Sequence, residues 1–210
     1  MGLYRDNNVQ MEKCLPGFSH INRYWDKQNE IISAKILPGE FYVTKEDEAV
    51  VTVLGSCISA CIRDPIKGIG GMNHFMLPAD NSGSSTKLSE SARYGNFAME
   101  MLINEILKNG GNKQNLEVKI FGGGKILRNM TDVGQRNIEF AITYIKTEGL
   151  SLISSDVGSP HPRKVYYFPG SGRVRIKKLR KLHNETIIER ETDYMKDLVK
   201  KPVTSDIELF

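Results

Sequence analysis

Apolar and polar positions between Ala49 and Pro78 fall into short runs separated by turn signals. Residues 50–54 are apolar and β-branched, and Gly55-Ser56 stops the run. Residues 58–63 form a second run, Asp64-Pro65-Ile66-Lys67 reads as a turn with Pro at its second place, and residues 70–77 form a third run. The pattern predicts strand, tight turn, strand, loop, strand. Upstream, residues 34–43 read as a strand broken by Pro38-Gly39, and downstream the small polar residues 79–87 read as a surface loop.

Residues 88–109 carry the clearest helical period, with Ala92, Phe97 or Ala98, Met101 or Leu102, and Ile106 recurring on one face. Ser89 or Ser91 can cap that helix, and Gly110-Gly111 ends it. Residues 116–121 alternate as a strand that Gly122 to Gly124 break. Thr131 or Asp132 caps a second helix to about Glu148, with Ile138, Ala141, Ile142 and Ile145 on one face and Gly149 as its stop. Residues 152–154 are short and apolar, and residues 164–168 and 173–178 flank Pro169-Gly170-Ser171-Gly172 as a hairpin. The stretch 184–200 places Ile187 or Ile188, Glu191, Tyr194 or Met195, and Leu198 at helical spacing, as a helix that docks on the body or stays loose. Residues 200–210 read as a frayed tail. Strands and helices do not repeat as βαβ. The expected class is therefore α/β of the α+β-like kind, a mixed, largely antiparallel sheet with two main helices packed on it.

A chain of 210 residues suffices for one domain with a sizeable core, and 40% hydrophobic with 26% charged residues is ordinary for a globular protein. The net charge of +4 is too mild to point to nucleic acid. Six of the nine residues from Arg173 to Lys181 are basic; as a strand, Arg173, Arg175 and Lys177 share a face that is solvated or attracts an acidic partner. Cys14, Cys57 and Cys61 are too few, and odd in number, for a disulfide framework. The polar N-terminal stretch has no secretory core, Asp6 spoils a myristoylation match, and no apolar run has a membrane helix's length. A cytoplasmic protein with reduced thiols and no membrane insertion is expected.

The candidate chemistry lies in the central stretch. If Arg63 and Gly68 flank a four-residue hairpin loop, Cys57 stands opposite His74. An imidazole can take a thiol's proton, and Gly55-Ser56 leaves main-chain N–H groups bare beside the sulfur, as an oxyanion site needs. Taken alone, such a pair is more often a packing cysteine beside a satisfied histidine. Other readings fall away. Gly122-Gly123-Gly124-Lys125 lacks the first glycine of a phosphate loop and has Ile126 at the magnesium-binding place, so these glycines serve close backbone approach or a tight turn. Cys57, Cys61 and His74 lack a fourth zinc ligand at finger spacing. No metal and no cofactor are expected.

Leu54-Gly55-Ser56-Cys57, then Asp64-Pro65, Gly70-Gly71 and His74-Phe75-Met76-Leu77-Pro78, resembles the chemoreceptor glutamine deamidase family, CheD. Phe121-Gly122-Gly123-Gly124-Lys125 resembles its glycine-rich segment, and Arg163-Lys164-Val165 with Gly170-Ser171-Gly172 its late hairpin. The resemblance spans residues 34–181 as the deamidase domain, leaving 1–33 as an N-terminal extension and 182–210 as a C-terminal helix and tail. It implies a layered sandwich, Cys57 as nucleophile and His74 as its base. The family's third catalytic residue is a Thr, commonly six positions before the Cys. Here Val51 holds that position, and Thr52 is the nearest Thr; a bulge beside Gly55 is invoked to turn its hydroxyl toward His74. The implied reaction converts glutamines on the cytoplasmic helices of chemotaxis receptors to glutamate through a thioester. The alternatives are an adaptor that binds receptors or a CheC-type phosphatase with weak or no catalysis, and a generic cysteine hydrolase that cleaves peptides.

Overall fold

The computed structural model describes residues 11–78, 85–126, 133–180 and 185–200. The stretch 79–84, the cap candidates Thr131 and Asp132, and the tail at 201–210 lie outside the described residues. Ten strands follow: β1 (Asn22–Asp26), β2 (Ile31–Lys35), β3 (Phe41–Thr44), β4 (Glu48–Leu54), β5 (Ile58–Asp64), β6 (Ile69–Asn73), β7 (Glu117–Gly122), β8 (Ser151–Val157), β9 (Arg163–Phe168) and β10 (Arg173–Lys178). Three helices join them: α1 (Ser85–Lys108), α2 (Val133–Thr147) and α3 (Glu185–Lys200).

The layered α+β arrangement is present, with its strands divided between two mixed sheets of five. The first sheet runs β1-β2-β4-β9-β10 and the second β3-β6-β5-β7-β8. Strand alternation explains how they stack. Val50 and Leu54 of β4, with Val165 and Tyr167 of β9, enter one core with Ile58, Ile62 and Met72 of the second sheet. Ala49, Val51, Tyr166 and Phe168 point the other way and form a small cluster with Ile31 on the outer face of the first sheet. Helices α1 and α2 pack on the second sheet.

Most predicted elements are found. The strand broken at Pro38-Gly39 is two strands, β2 in the first sheet and β3 in the second, because the break is where the chain crosses between sheets. Gly39, at φ 86°, makes that crossing possible. The first sheet takes in residues on both sides of Ala34, with β1 pairing β2 and Phe18 and Ile21 in the core. Helix α1 begins at Ser85, so Ser89 and Ser91 lie inside it; Ser91 donates to the Pro78 carbonyl instead of capping. Helix α3 docks on the body, with Met195 in the core.

Candidate active site

The turn Gly55-Ser56-Cys57 is the corner where the chain leaves β4 in the first sheet and enters β5 in the second. Three features hold it. The Gly123 N–H donates to the Cys57 carbonyl at 2.7 Å and the Gly124 N–H to the Gly55 carbonyl at 2.7 Å. A Cβ on Gly122 would stand 2.2 Å from the Cys57 carbonyl oxygen, and one on Gly124 2.7 Å from that of Gly55. The glycine run therefore supplies close backbone approach to the corner. From α2, the buried Asn137 donates to the Ser56 carbonyl at 2.8 Å and accepts the Leu77 N–H at 2.8 Å, tying the corner to the segment that follows His74.

The hairpin ladder differs from the expected one by two residues. Asp64 opposes Ile69, and an isolated bridge pairs Ile58 with Phe75. A two-residue shift keeps every side chain on its face, so His74 becomes the diagonal rather than the direct neighbour of Cys57. Asn73 opens the ladder at this point. Its side-chain oxygen accepts the Ala60 N–H at 2.8 Å, its amide donates to the Ala98 carbonyl at 2.9 Å, and the His74 N–H donates to Glu40 instead.

Thr52 reaches His74 without a bulge. β4 pairs β9 in unbroken register from Val50 to Leu54, and plain alternation points Thr52 inward with Val50 and Leu54. The expected bulge beside Gly55 is thus corrected: residue 52, not 51, faces the core. Thr52 Oγ1 lies 2.7 Å from His74 Nδ1 and 2.9 Å from the Ile36 carbonyl oxygen. A carbonyl only accepts, so the single hydroxyl proton goes to Ile36 and Thr52 accepts from Nδ1–H. The proton is therefore on Nδ1, and Nε2 is left with its lone pair free. Nε2 is buried and has no hydrogen-bond partner among the described residues. Burial pulls His74 down to about 3, the charge of Arg190 adding to the effect, so the ring is neutral.

Cys57 is fully buried, with its Sγ, a ring nitrogen of His74 and a carboxylate oxygen of Glu191 all within 4.8 Å of one another. Glu191 comes from α3. Its Oε1 accepts the Gly55 N–H at 2.8 Å and the Cys57 N–H at 3.4 Å; its Oε2 accepts the Ser56 N–H at 2.9 Å and the Ser56 hydroxyl at 2.7 Å. A Cβ on Gly55 would lie 2.8 Å from both carboxylate oxygens, so only glycine leaves the corner bare enough for this approach. Burial pushes the Cys57 thiol well above its ordinary range, and the charge of Glu191 and its hydrogen bond to the thiol push it further.

Cys57, His74 and Glu191 have the donor chemistry of a zinc site. The main-chain N–H groups around the carboxylate, however, present the positive ends of dipoles, which favour an anion over a cation. Cys61 is fully buried two pleats along β5 and forms no part of the trio.

All the residues expected at the site, Thr52, Gly55, Ser56, Cys57 and His74, are brought together, whereas Asn73, Asn137 and Glu191 escaped the sequence reading. For Glu191 a signal was there: an acidic residue stands in the apolar stripe of 187, 188, 194, 195 and 198.

The chain matches the family model described as CheD chemotactic sensory transduction over residues 76–178. It is 55% identical to a protein of Halorhodospira halophila named probable chemoreceptor glutamine deamidase CheD, over 100% of this chain and 99% of that one. Proteins of the same name from Hahella chejuensis and Saccharophagus degradans are 51% and 45% identical. The first comparison covers 93% of each chain, the second 100% of this chain and 99% of the relative.

Proposed function

Because the chain belongs to the CheD family, we propose that it hydrolyses the side-chain amides of specific glutamines on chemotaxis receptors to carboxylates, using Cys57, His74 and Thr52. What carries the reading is the hydrogen-bonded line from the Ile36 carbonyl through Thr52 to His74 Nδ1, which leaves Nε2 without a partner among the described residues on a ring with a nitrogen within 4.8 Å of the Cys57 thiol, at a corner that carries three main-chain N–H groups.

His74 Nε2 takes the thiol proton as Cys57 Sγ adds to the amide carbon. The oxygen of the tetrahedral adduct carries the negative charge, and the N–H groups of the Gly55–Cys57 corner are placed to bind it. His74 returns the proton to the amide nitrogen, the C–N bond breaks, and ammonia leaves a thioester. Water, deprotonated at Nε2, adds to the thioester carbon; the C–S bond breaks, releasing glutamate and the thiol. Thr52 acts by fixing the ring tautomer. No helix among the described residues is long and apolar enough to cross a membrane. Action in the cytoplasm, on receptor cytoplasmic helices, and a CheC-type phosphatase as second partner, belong to the same proposal and rest on family membership.

The deciding experiment is peptide mass spectrometry of receptor cytoplasmic fragments incubated with the protein. Conversion of amide to acid adds about 1 Da per site and requires Cys57. Binding without any mass gain would leave an adaptor in place of an enzyme, and backbone cleavage would identify a peptidase.

A further inference from the structure

Glu191 has no part in that mechanism, yet it fills the site. It is fully buried, and four donors from the corner converge on its two oxygens. Stability alone would be served by the apolar side chains of α3: Met195 is buried, and Ile187, Ile188, Tyr194 and Leu198 pack against the same core. A carboxylate set among them loses its hydration, and only the donors of the corner replace it. Those donors are the ones the reaction uses, and the end product of the reaction is a glutamate side chain at the same corner.

Helix α3 also straddles both halves of the site. Arg190 donates to the Val53 carbonyl at 3.0 Å on one side of the corner. On the other side the Tyr194 ring lies against Gly39, whose N–H donates to the His74 carbonyl at 2.8 Å, and the Tyr194 hydroxyl bonds that of Tyr94. Under this cover the thiol has no exposure to solvent.

We propose that α3 is a built-in competitor of the substrate: it holds Glu191 in the site as a product mimic and must be displaced by a receptor helix carrying the target glutamine. The proposal rests on the deamidase reading and deepens it. The occupant is a helix that presents an acidic side chain with apolar residues three and four positions away on the same face, so the site is shaped for a glutamine on an amphipathic helix. The Glu191 charge that raises the thiol's proton affinity keeps the nucleophile at rest while the helix is seated.

The test uses the full chain. In Glu191→Gln the occupant is itself an amide of the same length. Cys57 adds to its side-chain carbon, ammonia leaves, and water restores the carboxylate at position 191. Purified protein should gain about 1 Da at that residue with time, and the double variant with Cys57→Ala should not. In parallel, iodoacetamide labelling mapped to Cys57 should be about tenfold faster in Glu191→Ala than in the unchanged protein, with Cys61 still unlabelled and receptor-fragment deamidation raised. Equal labelling rates would overturn the proposal. So would a fall in receptor deamidation in Glu191→Ala at unchanged melting temperature, or persistence of the introduced amide in a Glu191→Gln protein that deamidates receptor fragments. Faster labelling with no deamidation of the receptor or of the introduced amide would leave α3 as a cover on the site and sink the deamidase reading instead.

Discussion

Replacing Thr52 by Val keeps the shape of a fully enclosed side chain and deletes two hydrogen bonds, the 2.9 Å bond to Ile36 and the 2.7 Å bond from His74 Nδ1. A buried N–H left without an acceptor costs about 1–3 kcal/mol. Part of that appears as lower stability. The rest is relieved by moving the ring proton to Nε2, where it blocks the lone pair that the proposed mechanism uses as base. If about 1.4–2.7 kcal/mol of this bias falls on the chemical step, kcat drops roughly tenfold to a hundredfold. KM should stay within about twofold, because Thr52 touches the imidazole and not the substrate. Thr52→Ser keeps the hydroxyl and should retain kcat within about threefold. The assay is initial-rate deamidation of a receptor fragment by mass, beside urea unfolding of the same preparations. An unchanged kcat in Thr52→Val at normal stability would refute the tautomer argument.

His74 gives a pH-dependent prediction. Its folded-state value is about 3, below the ordinary imidazole value of 6.5, so the unfolded chain binds the extra proton between those pH values. This contribution to stability is fully present above pH 6.5 and is lost as pH falls toward 3, at up to about 1.4 kcal/mol per pH unit. Urea unfolding from about pH 7 to about pH 4 should show that slope in the unchanged protein, and His74→Gln should lack it; equal slopes would remove His74 as the cause. Cys57→Ala should abolish deamidation and keep the fold, whereas Cys61→Ala, whose thiol lies outside the group of Cys57, His74 and Glu191, should keep most activity. The reverse result would reassign the nucleophile. Asn137→Leu removes both clamps on the corner and should lower stability by about 2–4 kcal/mol and kcat more than KM, read by urea unfolding and initial rates.

Local signals carried much of this architecture. Gly110 and Gly149 both adopt positive φ just past α1 and α2, where the sequence reading stops those helices. The Pro169–Gly172 hairpin joins β9 and β10 in the expected place. Division into two sheets was not legible, because a strand's own pattern shows that it has two faces but not which neighbour covers each. Thr52 illustrates the limit. Counting from a family spacing made its orientation look wrong, while the run of Val50, Thr52 and Leu54 on one face already pointed it inward. Asn73 and Asn137 were invisible because their work is done on partners 13 to 81 residues away. Glu191 sits in contact with residues about 135 positions earlier, a pairing no local period encodes.

The proposed catalytic residues do not share a sheet. Thr52 hangs from the first, His74 follows the end of β6 in the second, and Cys57 stands on the passage between them. The Thr52–His74 bond is thus a rivet through the sandwich, and the catalytic spacing records how far one layer has slid over the other. Sub-denaturing urea that loosens this sliding contact should silence the chemistry at concentrations where every strand is still paired, and a receptor that grips both layers at once would set the spacing as it binds.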